Sequence, residues 1–419
     1  MNQGGSRVER IQLSPAKRAA LLGILTLLAA GAGAAAGQFE KTPSYDPTAV
    51  LSGASAGSNY LVMSPVSTDG MLRHYRLRTR WGEFEAIGDE LMAARIKELN
   101  ALHALDETNT TKSFGQAVVK EVAAPVVFAG HMIVHPVDTT QNTVAGVGQL
   151  VGGIRSGFNN MGKSRDDTVA DLTGQTKEKR LIATGLAVDP YTDFQPLADR
   201  LNELAGAAAA GHLAVSGAMS AVPGVAGLIV SNTSTVGGFG EAINDYSDAQ
   251  LMDMNRDKLA RLGVDGATAD SLFANRNYTP VDMTAMVEAL SSLNGVGNIG
   301  PTVARAADAG SRATAYFVRR RMELTAAWQR RNKTIVAFVG DDSVMFPLAQ
   351  TTSSGIVGVY PIDVLAWTPG TAQTIDAMTA AAQSAGARSK TLVITGAATP
   401  LAKSNLAARG WNLEERAKL

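Results

Sequence analysis

Hydrophobic and polar positions alternate most cleanly from Arg73 to Trp81. Tyr75, Leu77, Thr79 and Trp81 fall on one side of that period and His74, Arg76, Arg78 and Arg80 on the other, which predicts a half-buried strand with a basic outer stripe. Tyr60 to Met63 reads as a short strand stopping at Ser64-Pro65, Asp69-Gly70 as a turn, and Glu83 to Ile87 as a further strand after Gly82. At Asp89 the period lengthens. Leu91, Arg95, Ile96, Leu99, Leu102 and His103 recur at three-to-four spacing, predicting an amphipathic helix. Together these make a small α+β unit.

The middle of the chain loses that regularity. Ser113 to Asn160 is mostly apolar and is cut by Pro125 and Pro136, and Thr143 to Phe158 carries small residues at Gly148 and Gly152, a spacing that lets helices approach closely. Met161 to Arg180 reads as an exposed loop or insertion, Val188 to Thr192 as a turn, and a helix is predicted from Gln195. That helix runs into Leu204 to Val230, a stretch without Asp, Glu, Lys or Arg. Its length suffices for a membrane span. Ala and Gly dominate it, however, and Pro223-Gly224 interrupts it, so two small-residue helices packed inside the fold are expected, with membrane contact as the alternative.

From Ser247 helix punctuation becomes clear. Ser247 with Gln250 forms a capping box and Gly263 a stop; Thr279 caps a helix with Pro280 at its first position, and a long helix is expected from Pro301 to about Arg331. After Asn332 strand and helix patterns alternate: strands at Thr334 to Gly340, within Ile356 to Trp367 and at Thr391 to Thr395, helices at Thr371 to Ser384 and Pro400 to Ala408. This order indicates at least one parallel pair. The expected class is α+β, with an N-terminal small antiparallel sheet plus helix (59–112), a mainly helical, Ala/Gly-rich central region (113–331) and a C-terminal small α/β module (332–419).

Composition then bears on location. Arg7, Arg10, Lys17 and Arg18 precede an apolar run from Ala19 to Ala30 and the triplet Ala34-Ala35-Ala36. This is the three-part pattern of an export signal. Cleavage after Ala36 is expected, with a linker over 37–58 and a periplasmic or cell-envelope location. The chain has no Cys, so disulfides and thiolate chemistry are excluded. Lys+Arg and Asp+Glu both number 38, so no global field draws the protein to nucleic acid. The partners expected are an envelope protein or a membrane surface, with oligomeric state open.

The stretches SPVSTDGMLRHYRLRTRWGEFEAIG, LAVDPYTDFQPL and VITGAATPLAKSNLAARGWNLEE resemble a group of uncharacterised exported bacterial proteins of similar length. That resemblance implies export and assigns no activity.

Five patterns could carry chemistry. Gly53-Ala54-Ser55-Ala56-Gly57 matches G-x-S-x-G but lacks the preceding strands a nucleophile elbow needs, and Gly295 to Gly300 matches G-x-G-x-x-G but follows a helix. Neither carries a cofactor reading, and the cofactor stays unknown. His131 and His135, four apart with Asp138 nearby, are the candidate metal ligands, although a third ligand is not evident. Asp341 and Asp342 follow the first strand of the C-terminal module and are the candidate catalytic acids, on an edge shared with Thr395-Gly396 if the strands are parallel. His74, Arg76, Arg78 and Arg80 are the candidate partner-binding stripe. The favoured function is an exported envelope protein working through protein or membrane-surface contacts; the alternative is an envelope hydrolase or transferase using Asp341 and Asp342.

Overall fold

The computed structural model describes residues 39–107, 126–128, 131–133, 174–210, 239–339 and 347–419. The expected signal segment, the stretch Thr143 to Phe158, most of Leu204 to Val230, and Asp341, Asp342 and His135 lie outside these residues.

The alternating segment is the hub of the N-terminal unit. A single turn, α1 (Pro47–Val50), leads into β1 (Ala56–Gly57), β2 (Tyr60–Val62), β3 (Ser67–Thr68), β4 (Arg73–Thr79) and β5 (Gly82–Ile87). β5 pairs antiparallel along β4 from His74↔Ile87 to Thr79↔Gly82, while β2 and β3 share its other side. Tyr75 and Leu77 are fully buried, as the alternation requires. Their cover is α2 (Asp89–Glu107). This helix departs from the amphipathic expectation: Arg95, Lys97, Glu98 and His103 are buried along with Leu99 and Leu102, so it is enclosed on every side. Burial alone pushes the Lys97 amine down to about 8, against the pull of Glu90. A two-stranded hairpin, β6 (Val126–Phe128) and β7 (His131–Ile133), follows.

The central region supplies α3 (Gln175–Gly185), α4 (Gln195–Ala209), α5 (Phe239–Asp245), α6 (Asp248–Arg261), α7 (Gly266–Ala274), α8 (Pro280–Ser291), α9 (Ile299–Ala307) and α10 (Arg312–Asn332). α3 takes the end of the stretch expected to be a loop. The single long helix expected from Pro301 is two helices, because Gly310 interrupts the run and Ser311 caps a new one by accepting from the Thr314 amide at 3.1 Å. The Ser247/Gln250 capping box forms as the sequence predicts, and Thr279 caps its helix with Pro280 at the first position, where Asp282 completes a second capping box.

The C-terminal segment folds as β8 (Ile335–Val339), β9 (Leu348–Thr351), β10 (Gly355–Tyr360), β11 (Val364–Leu365), α11 (Pro369–Ser384), β12 (Ser389–Ile394), β13 (Ala397–Ala398), α12 (Pro400–Ala408) and β14 (Trp411–Glu414). Its main sheet has the order β14-β12-β10-β9-β8, with β10, β12 and β14 parallel and β9 antiparallel to both neighbours. β9 and β14 carry no clear sequence signal. Met322, Leu324 and Val303 from the central helices share a core with Phe338, Val357 and Val359, while α11 and α12 cover the other face through Ile375, Met378 and Leu406. The sheet core is therefore completed by the central helices.

The N-terminal unit meets this sheet through backbone. Met71 O accepts from the amides of Asp363 (2.9 Å) and Val364 (3.1 Å), and Gly70 O from Ala366 (2.9 Å). In return Asp363 Oδ2 accepts the amides of Arg73 (2.8 Å) and Asp89 (3.1 Å). Beneath it, Asp89 takes the Arg73 guanidinium and the Tyr75 hydroxyl, each at 2.5 Å. Burial, and then the neighbouring Asp89 charge, raises the Asp363 carboxyl well above its ordinary value.

Candidate functional site

Two short turns that look purely local in the sequence meet in space. After α3 the chain turns at Asp189, whose carboxylate accepts the Tyr191 amide at 2.7 Å, and at Thr192, whose hydroxyl accepts the Phe194 amide at 3.0 Å. At the start of α8, Asp282 accepts the Thr279 amide (2.9 Å) and Thr279 Oγ1 accepts the Asp282 amide (3.1 Å). The Thr279 oxygen then lies 2.6 Å from Asp189 and 3.0 Å from Asp282. One hydroxyl proton cannot serve both carboxylates. A proton held on Asp189 resolves the conflict: Asp189 donates to Thr279, and Thr279 donates to Asp282.

The surrounding charges favour that proton. From the acid pair an alternating chain runs both ways: Asp282 to Arg312, Asp193, Arg95 and Glu98 on one side, and Asp282 to Arg319, Glu323, Arg320 and Glu90 on the other. Both ends are acidic, so the arginines are outnumbered before Asp189 is counted. Burial, then the charge of Asp282, pushes the Asp189 carboxyl up to about 7. Burial also acts against ionised Asp282, but Arg312 and Arg319 outweigh it and hold that carboxyl below its ordinary value.

Beside this pair opens a cleft of about 440 Å³, bounded by α3 and α4, the start of α6 and the 276–280 turn. Lys179, Tyr191, Asp193, Arg276, Thr279 and Arg312 are in its wall. A concave polar site next to a carboxyl near neutrality has the ingredients for ligand binding or proton transfer. Its principal side chains are nevertheless engaged with one another: Arg312 with Asp282, Asp193 and the Asn277 carbonyl, and Asp193 with Arg95 as well.

Asp189→Asn tests the shared proton. A carboxyl raised in the folded state contributes stability that is complete below the unfolded value near 4 and lost as pH rises through about 7, by at most about 1.4 kcal/mol per pH unit. Asn can donate to Thr279 and accept from Tyr191 at any pH. In urea titrations the variant should therefore gain on the unmodified protein between pH 5 and pH 8; parallel pH profiles would show that Asp189 is ionised throughout.

The residues singled out from sequence fare differently. In the basic stripe His74 is 3.3 Å from Asp69, Arg78 3.0 Å from Glu83, Arg80 pairs with Asp106 and stacks on Trp81, and Arg76 faces Glu85 in register. Each arginine, and His74 with them, has an acid beside it, which leaves little field for a partner. His131 opens β7 opposite Phe128, and its intended companion His135 is outside the described residues. Among the described residues no group of three potential ligands could hold a metal.

Asp341 and Asp342 are also outside the described residues, but Val339, which precedes them, ends at the same sheet edge as Ile394, because β8 and β12 run in one direction. That edge is filled near Gly396. Its amide donates to Ile362 O (2.8 Å), and its carbonyl accepts from the Arg416 amide (2.9 Å).

Of the glycine motifs, Gly295 to Gly300 protects a sheet edge. Gly297 exchanges hydrogen bonds with β8, donating to Val336 O (2.8 Å) and accepting from the Phe338 amide (2.9 Å), and Asn298 Nδ2 reaches Phe338 O at 3.1 Å. Ser55 lies in the approach to β2, where its carbonyl accepts the Val62 amide, so no strand-to-helix elbow forms.

The chain matches no known family, no characterised protein and no solved structure.

Proposed function

We propose that the protein is an exported cell-envelope component that works through protein or membrane-surface contacts. The observation that carries this reading is the self-sufficiency of the ionic chain. Its buried arginines and carboxylates pair with each other across the N-terminal unit and the central helices, as in a rigid support, and two of the cleft side chains, Asp193 and Arg312, belong to the same chain. Export rests on the N-terminal basic and apolar pattern. Contact rests on the alternative reading of the charge-free stretch from Leu204 to Val230, membrane contact in place of interior packing; its first residues lie in α4. Among the described residues no helix is long and apolar enough to cross a membrane.

The enzymatic alternative, an acidic site at the strand ends of the C-terminal sheet, has one feature in its favour: β8 and β12 end on one side. Against it, the chain's own backbone occupies that side around Gly396, where a ligand of an open α/β sheet would sit.

Cell fractionation tests the reading. The protein should be recovered with the envelope, and alkaline carbonate should release it if contact is peripheral. Recovery in the cytoplasm with an intact Met1 would overturn both export and envelope contact.

A further inference from the structure

Opposite the filled edge, the other end of the C-terminal sheet collects cations. α10 finishes with Arg330 and Arg331, followed by Lys333, immediately before β8; Arg388 and Lys390 stand at the start of β12. Register places these groups along one edge. Ile335 is opposite Thr351 on β9, and Gly355 at the start of β10 is opposite Ser389. The β8-to-β12 row spans three strand intervals, or about 15 Å. Arg330, Arg331, Lys333 and Arg388 are exposed and Lys390 partly so.

None of these five forms an ion pair or side-chain hydrogen bond with an acid among the described residues, in contrast to the basic stripe on β4. The nearest acid on α11, Asp376, is taken by Arg409 at 2.6 Å. Complementing the C-terminal dipole of α10 accounts for Arg330 and Arg331 at most, since Arg388 and Lys390 belong to a strand and its approach.

Hydroxyls occupy the ground between the two cation groups. Ser389 Oγ, Thr351 Oγ1 and Ser353 Oγ gather at 2.6, 3.0 and 3.6 Å from the point where a Cβ on Gly355 would stand, and Thr351 Oγ1 is itself engaged with Gly355 O (3.2 Å) and Ser353 Oγ (3.1 Å). Val336, the second residue of β8 and 40% exposed, is one of two large apolar side chains left in solvent among the described residues. Unpaired cations, hydroxyl donors and an apolar side chain are what a phospholipid headgroup layer can satisfy: charge for the phosphates, hydrogen bonds for their oxygens, and a methyl contact at the interface.

We propose that this edge docks the protein on an anionic phospholipid bilayer, through Arg330, Arg331 and Lys333 on one side and Arg388 and Lys390 on the other. The proposal rests on the contact reading above and gives it a surface and a lipid chemistry. Attachment is electrostatic and weakens as salt rises, because exposed charges are screened.

Vesicle sedimentation of the full chain tests it, with phosphatidylcholine alone and with phosphatidylcholine mixed with phosphatidylglycerol. Binding should require phosphatidylglycerol. Arg330→Ser/Arg331→Ser/Lys333→Ser should lower the partition coefficient on the order of a hundredfold and Arg388→Ser/Lys390→Ser about 25-fold, from about fivefold per cation. Thermal melting checks each fold, and the strand pair carries the test if the helix-end variant does not fold. Full binding by both variants, or equal binding to neutral vesicles, would overturn the assignment to this edge while leaving membrane contact standing. Binding to soluble polyphosphate with none to vesicles would overturn the lipid partner. Failure to bind any vesicle, with the protein absent from the envelope fraction, would remove the contact reading as well.

Discussion

Asp282→Ala should destabilise the protein by about 3 to 5 kcal/mol, the usual cost of removing one partner from a buried charge network. Asp282 is 1% exposed, and its carboxylate does several things at once. It accepts the Thr279 amide in the capping box of α8, pairs with Arg312, and lies 3.5 Å from Arg319. Truncation leaves two guanidiniums short of a counter-charge, and among the described residues the Arg319 side chain, 4% exposed, keeps Glu323 at 3.6 Å as its ion-pair partner.

Asp189 limits the damage. Without the Asp282 charge beside it, its carboxyl returns towards the ordinary range, ionises, and offers Arg312 a replacement. A double-mutant cycle with Asp189→Asn should therefore show coupling: the Asp282→Ala loss is larger when Asp189 cannot ionise. Asp282→Asn, which keeps an acceptor for the Thr279 amide, should cost less than Ala. Urea unfolding measures all three. A loss below about 1 kcal/mol for Asp282→Ala would mean that the alternating chain contributes little to the fold.

The sequence made some of this architecture legible and hid the rest for identifiable reasons. Local rules were sufficient where one segment decides its own structure. Tyr75 and Leu77 alternate with arginines and form a central strand; Ser247/Gln250 and Thr279-Pro280 announce helix starts; the strand and helix order after Asn332 gives a sheet with parallel pairs. They failed where partners are distant. Arg95 and His103 look like the flank of an amphipathic helix, yet α2 is enclosed, because the α3–α4 hairpin, far along the chain, covers it.

The acid pair was hidden for the same reason. Asp189 lies in a predicted turn, which forms, and Asp282 sits just inside a predicted helix start, but nothing local states that a hydroxyl ninety residues away from Asp189 joins them. The basic stripe was conspicuous because its cations are consecutive on one face, and it proves balanced by Asp69, Glu83, Glu85 and Asp106. The unpaired cations are dispersed between residues 330 and 390 and converge only when β8 and β12 enter one sheet.

Gly396→Ala should have an effect at least as large, by a steric route. A Cβ at this position would fall 1.9 Å from the Asp363 carbonyl oxygen, 2.4 Å from its carbon and 2.7 Å from the Ile362 oxygen. These are backbone atoms, so no side-chain rotation relieves the overlap; one strand of chain has to move from the other. Both are fixed. Gly396 donates to Ile362 O at 2.8 Å and leads into β13, which pairs with β11. Asp363 is bound at its amide by Met71 O and at its carboxylate by the amides of Arg73 and Asp89, so displacing it disturbs the seat of the N-terminal unit on the C-terminal sheet.

Overpacking usually costs about 1 to 3 kcal/mol, and here the loss of buried hydrogen bonds to Asp363 adds to it, giving an expected total above about 3 kcal/mol. Gly386→Ala is the internal comparison. Gly386 has φ +68° and nothing within 4 Å of a Cβ, so Ala there carries only the left-handed backbone penalty of about 1 to 2 kcal/mol. In thermal melts Gly396→Ala should fall well below Gly386→Ala, and proteolysis should show the N-terminal unit cut first as its seat loosens. Equal melting of the two variants would mean that the crossing of Asp363 and Gly396 is loose enough to admit a methyl group, and that the carboxyl edge of the sheet is less firmly closed than its hydrogen bonds indicate.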